Sequence, residues 1–168
     1  MQLTQYTDYA LRTLIYLAAT GKESTITEVA ERFNISRNHL VKVVHNLGKT
    51  GFIKTERGKS GGISLARPAN EIGIGDVVRK METSFHIVEC FRASGNQCPI
   101  TPVCVLKNVL NEAFGNFMKT LDSYTLEDIL GRRHAVLALL QPVEVGDAKS
   151  KKPQRNTGAA KKRSRTVA

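Results

Sequence analysis

A mainly α (α+β) fold is expected of this 168-residue chain, and three observations predict it. Apolar residues return every three or four positions in three separate stretches, beginning near Tyr6, Val29 and Val105. That is the period of helices with one buried face. Between the second and third stretch, Phe52–Arg57 and Ile63–Leu65 flank the glycine-rich Gly58–Gly62, which reads as a β-hairpin. From about Pro142 onward large apolar residues nearly vanish in favour of Lys, Arg, Ser, Pro, Gly and Ala, a composition unable to build a core. The expected organisation is a winged helix-turn-helix over residues 1–82 and a cysteine-bearing loop over 83–104. A long dimerisation helix with a short C-terminal helix follows over 105–141, and a disordered basic tail occupies 142–168.

Each element has a local cause. Thr4 or Thr7 caps a first helix whose apolar positions include Tyr6, Tyr9, Ala10, Thr13, Leu14, Leu17 and Ala18, and Gly21 ends it. Ser24-Thr-Ile-Thr-Glu28 is a capping signal ahead of Val29, Ala30 and Phe33. After the break Asn34-Ile35-Ser36, a third helix runs from Arg37 to about Leu47, so Ile26 to Leu47 forms a helix-turn-helix. Leu40, Val43, Val44 and Leu47 make its buried face, which leaves Arg37, Asn38, His39, Lys42, Asn46 and Lys49 outward or at the ends. The hairpin that follows is a wing: Gly61 and Gly62, with Ser60, let backbone approach a phosphate, while Arg57 and Lys59 carry the charge. Ile72, Ile74, Val77, Val78 and Met81 make a connecting helix. From Val105 to Leu121 a broad apolar stripe runs roughly 25 Å at ~1.5 Å per residue. A helix that long exceeds what a small winged domain covers, so a second copy of the chain is the expected partner. Thr125-Leu-Glu-Asp128 reads as a capping box opening a last short helix, which Ala135 to Leu140 continues or packs against.

All three cysteines, Cys90, Cys98 and Cys104, lie within fifteen consecutive positions of a loop punctuated by Gly95, Asn96, Pro99 and Pro102. Such a backbone lets thiols converge. The spacing lacks the close C-x2-C pair of structural zinc sites and offers three sulfurs where a closed zinc site takes four ligands. Three thiolates with an open position suit an iron–sulfur cluster completed by an oxygen or nitrogen donor. Thr101 and Pro102 read as N-cap and first helical residue, placing Cys104 in the first turn of the next helix, where the dipole favours a thiolate. Ordinary buried cysteines, or a redox disulfide with one thiol to spare, are the plainer alternatives.

With 41% hydrophobic and 24% charged residues the chain has the composition of a globular protein. The net charge of +10 is largely a tail effect. Eight of the 25 Lys and Arg follow residue 147, leaving 17 against all 15 Asp and Glu before it. Within residues 34–67, however, seven Lys and Arg face Glu56 alone, so the wing and third helix are basic in their own right, as double-stranded DNA requires. No apolar stretch approaches the ~20 residues of a membrane span, and no signal-like start is present. A cytoplasmic location without membrane association is expected, where thiols stay reduced.

Several motifs stand in register: Leu3-Thr-Gln-Tyr-Thr-Asp8-Tyr-Ala-Leu-Arg12, Ser36-Arg-Asn-His-Leu-Val-Lys42, Arg57-Gly-Lys-Ser-Gly-Gly62 and Cys98-Pro-Ile-Thr-Pro-Val-Cys104-Val-Leu-Lys107. With them the chain, from Met1 to about Leu130, resembles the winged-helix iron–sulfur regulators of bacteria, and within that family the nitric-oxide-sensitive repressors. The resemblance implies that Cys90, Cys98 and Cys104 ligate one cluster per subunit, 2Fe–2S or 4Fe–4S. It also implies that Asp8 of the partner subunit supplies the fourth ligand. Cluster-assembly regulators of the same family carry a histidine three residues past the last cysteine. Here Lys107 stands there, and an ammonium has no lone pair to donate. The seven-residue gap between Cys90 and Cys98 is long for the family, which costs little, since doubling a loop adds only ~0.6 kcal/mol of closure entropy. The tail is outside the pattern.

The function expected from the resemblance is that of a homodimeric repressor which binds a palindromic operator and releases it when nitric oxide attacks the cluster, freeing nitrosative-stress genes. A thiol- or zinc-responsive regulator using the same cysteines is the alternative. A metal-dependent enzyme is the weakest reading, because no nucleotide-binding glycine loop and no nucleophile–base spacing is present.

Overall fold

The computed structural model describes residues 2–56, 58, 61–92 and 94–140. Helix α1, Gln5–Thr20, begins where the Thr4 hydroxyl accepts from the Thr7 amide at 3.3 Å. It ends at Gly21, whose φ of +64° is a conformation that costs glycine least. Helix α2, Ile26–Phe33, opens on a complete capping box: the Glu28 amide donates to Thr25 Oγ1 at 3.1 Å, and the Thr25 amide donates to Glu28 Oε2 at 2.6 Å. Asn34, at φ +52°, turns the chain into helix α3, Arg37–Lys49. Helix α3 therefore runs two residues past the expected end.

The wing is a two-stranded antiparallel sheet, β1 Ile53–Thr55 and β2 Ile63–Leu65, in the register Ile53 to Leu65. Ser24 exchanges both backbone hydrogen bonds with Ile63, at 3.0 and 2.7 Å, which stitches the wing to the start of α2. Helix α4, Ile74–Met81, follows a 3₁₀ turn at Ala69–Glu71. Among the described residues of 82–104 the regular structure is two short 3₁₀ turns, Glu89–Phe91 and Thr101–Val103. Helix α5, Val105–Asp122, a 3₁₀ turn at Asp128–Leu130 and helix α6, Arg133–Leu140, complete the described chain.

One core joins these elements. Leu14 and Leu17 of α1 meet Leu40, Val43 and Leu47 of α3, Phe52 and Ile63 of the wing, Val77 and Met81 of α4, and Leu126, all essentially inaccessible to water. Each such side chain contributes about 1.5–3 kcal/mol through burial, so the core and not helix propensity holds the helix-turn-helix in shape. Helix α4 is tied to α5 at the far end. Arg79 forks onto the Asp122 carboxylate with bonds of 2.6 and 2.5 Å, and the backbone pairs Ile74 with Tyr124 and Ile72 with Leu126. Gly75 permits that approach, since a Cβ there would collide with the Asp122 carboxylate.

Two expectations are corrected. Cys104 is the N-cap residue of α5, not a member of its first turn, because Thr101 and Pro102 lie in a separate 3₁₀ turn. The Thr101 hydroxyl is spent on the Cys98 carbonyl at 2.9 Å and caps nothing. Thr125 and Asp128 do exchange capping bonds, but they open a 3₁₀ turn, and the last helix starts afresh at Arg133. The tail over 142–168 lies outside the described residues, as do Arg57, Lys59 and Ser60.

Candidate nucleic-acid interface and metal centre

Burial sorts the faces of α3. Leu40, Val43, Val44 and Leu47 are buried, whereas Arg37, Asn38, His39, Val41, Lys42, His45 and Lys49 are exposed. The helix is anchored from both sides. The Tyr6 hydroxyl of α1 donates to the Lys42 carbonyl at 3.0 Å, and Arg37 Nε donates to Thr27 Oγ1 at 3.3 Å, which leans its guanidinium towards α2. Arg37, Thr27, Glu56, Gly61 and Gly62 line an open notch of about 330 Å³ between α2, α3 and the wing. Gly62 has a structural reason to be glycine as well: a Cβ there would strike the Glu23 side chain and the Ser24 carbonyl.

The three cysteines are free and half-buried. Around them the loop is pinned by its own polar groups. The Gln97 amide donates to Glu89 Oε1 at 2.6 Å, the Cys98 amide to Asn96 Oδ1 at 3.1 Å, and Asn96 Nδ2 to Thr101 Oγ1 at 3.0 Å. In chemistry the donor set fits an iron–sulfur cluster, three unpaired thiols on one irregular segment. In position it is not assembled, since among the described residues no group of three or more His, Cys, Asp or Glu side chains converges as a metal set.

Asp8 sits in the first turn of α1, and its carboxylate is held by Arg12, one turn further on. Arg12 Nε donates to Oδ1 at 3.0 Å, and its terminal nitrogen lies 2.8 Å from Oδ2. Lys107 lies in α5 beyond Cys104. Glu82, the residue capping the C-terminus of α4, accepts both from the Thr4 amide at 2.7 Å and from its hydroxyl at 3.1 Å. The N-cap of the Asp8 helix and the entrance to the cysteine segment are thereby joined. Sequence reasoning missed these contacts of Glu82, Tyr6 and Thr27. Their partners lie 78, 36 and 10 residues away, and no local pattern announces such pairs.

The apolar stripe of α5 is largely uncovered. Of its side chains only Met118 is buried, while Val105 is 72% and Leu106 62% exposed, and the adjoining Val103 is 81% exposed. Phe85 from the cysteine segment packs on Phe114, with ring centroids 5.3 Å apart. Among the described residues no helix is long and apolar enough to cross a membrane.

Comparison with known proteins agrees with this architecture. Residues 3–132 match the family model Rrf2, described as an iron-dependent transcriptional regulator. The HTH-type transcriptional regulator NsrR of Bacillus subtilis is 50% identical over 146 residues, covering 86% of this chain and all of that protein. Among solved structures, T. potens IscR superposes with a TM-score of 0.64 at 25% identity, over 81% of this chain and 90% of that one. CymR, the global cysteine regulator of B. subtilis, superposes with a TM-score of 0.59 at 26% identity, over 77% and 95%. The fold is the winged helix-turn-helix expected from the sequence, and the relatives are regulators of transcription, not enzymes. The chain belongs to the Rrf2 family of transcriptional regulators.

Proposed function

We propose that this protein is a homodimeric repressor that binds a palindromic DNA operator and senses nitric oxide through an iron–sulfur cluster, one per subunit. The observation that carries the reading is the placement of three free thiols, Cys90, Cys98 and Cys104, between the helix-turn-helix and α5 of a chain in an iron-dependent regulator family. The 50% identity to a protein named NsrR supports nitric oxide as the signal.

Arg37, Asn38, His39 and Lys42 lie on the exposed side of α3, in the place from which a recognition helix meets base edges. Gly61 and Gly62, with Arg57, Lys59 and Ser60 of the wing tip, are assigned to the phosphates. Cys90, Cys98 and Cys104 would hold the cluster as thiolates, and Asp8 of the partner subunit would add a carboxylate oxygen. Bound there, such a cluster would supply iron reactive towards nitric oxide, and operator binding would depend on that group staying intact. Val103, Val105, Leu106 and Val109 form an apolar strip that a second copy of α5 covers, since monomers rarely leave such a strip in water.

The test uses the full chain purified without oxygen and an operator selected from random duplex DNA. The intact form binds the operator far more tightly than random DNA, and nitric oxide abolishes the difference. Equal operator affinity before and after nitric oxide contradicts the reading.

A further inference from the structure

Across residues 2–82, Val41 is the one large hydrophobic side chain left exposed among the described residues; the others lie at Ile100 and beyond, towards α5 and α6. It is 39% exposed at the fifth position of α3, whose apolar neighbours Leu40, Val43 and Val44 are all buried. A lone surface valine ordinarily calls for no explanation. This one has polar company. Asn38 and His45 lie three and four residues away on the same exposed side, and Lys42 follows it directly; with Lys42 and His45 the valine lines an open groove. A β-branched residue is also a poorer helix former than Ala, Lys or Gln, so neither helix stability nor solubility accounts for valine there.

The major groove offers a chemical counterpart. Among the groups that base pairs display there, the C5-methyl of thymine is the apolar one, and the N-terminal half of a recognition helix is the part that reaches base edges. We infer that Val41 reads a thymine methyl in each operator half-site, so that the protein prefers a T·A pair at that position without a hydrogen bond to it. The inference rests on the operator-binding function proposed above and adds a specificity-determining residue to it. Lys42 and Asn38 flank the valine with groups that donate hydrogen bonds, so the apolar contact sets the choice at one base pair and the polar ones at its neighbours.

The experiment replaces thymidine by deoxyuridine, one position at a time, in an operator selected from random duplex DNA by the full chain. Deoxyuridine keeps every hydrogen-bonding group and lacks only the methyl. At one position per half-site the change should weaken binding about three- to fivefold, the scale of one methyl removed from an apolar contact. Val41→Ala should weaken binding to the thymidine operator by a similar factor, leave affinity for random DNA unchanged, and become indifferent to deoxyuridine at that same position. Val41→Ile should retain the discrimination. An operator at which the parent and Val41→Ala respond alike to every deoxyuridine overturns this inference and leaves operator binding standing. Failure to enrich any sequence overturns operator binding and this inference together.

Discussion

The carboxylate of Glu82 holds the Thr4 amide at 2.7 Å and the Thr4 hydroxyl at 3.1 Å, joining the end of α4 to the start of α1 across 78 residues. Thr4 is the residue that caps α1, so the same side chain steadies the helix carrying Asp8 and marks where the cysteine segment begins. Glu82→Ala is expected to lower stability by about 0.5–1.5 kcal/mol, the range of one capping interaction near the surface. Glu82→Gln keeps an acceptor oxygen and should restore most of it. Urea unfolding of both variants checks this; equal losses in the two would assign the effect to charge and not to the cap.

The Asp8–Arg12 pair bears on whether Asp8 is free to serve elsewhere. An exposed pair four residues apart on a helix is worth only ~0.3–0.5 kcal/mol, so Arg12 does not withhold the carboxylate from an iron. Arg12→Ala should change stability by no more than that and leave the visible spectrum of the anaerobic protein unaltered. Asp8→Ala should alter the spectrum while the dimer persists. Matching spectra for Asp8→Ala and the parent would remove Asp8 from the ligand set.

Arg79 and Asp122 make the tie between α4 and α5 sensitive to acid. Hydrogen bonding from Arg79 pulls the Asp122 carboxyl below its ordinary range. A carboxylate with a lowered value in the folded chain stabilises it above the ordinary Asp value and loses that contribution as pH falls through the folded one. Asp122→Asn should therefore be less stable than the parent near neutral pH, and the gap should close as pH drops below about 4. A gap independent of pH would show that packing against Gly75, and not charge, is what the asparagine disturbs.

Changing any one of Cys90, Cys98 or Cys104 to Ser should lower iron content and operator affinity together, because three protein thiolates leave no spare ligand. All three are free and half-buried, so the substitutions themselves should leave the helix-turn-helix folded, as circular dichroism would report. Full repression by all three variants would contradict the assignment.

Elements governed by neighbours in the chain were legible in the sequence. Thr25 and Glu28, Gly21 and Asn34 stop and start helices through bonds spanning three to five residues, and the wing follows from its glycines. Cys104 was misplaced because a Thr-Pro pair carries an N-cap signature only while its hydroxyl is free, and here Thr101 bonds to the Cys98 carbonyl. Glu82 was invisible because its partner is distant in sequence. Val41 escaped notice for a different reason: period alone sorts residues into a buried stripe and a polar one, and an exposed valine belongs to neither.

The most direct test of the central claim is the visible absorption spectrum of the full chain purified without oxygen, read with its iron and acid-labile sulfide content. The expected result is a coloured protein carrying iron and sulfide in equal amounts, bleached by nitric oxide and absent from Cys98→Ser. A colourless protein that binds zinc in place of iron would contradict it.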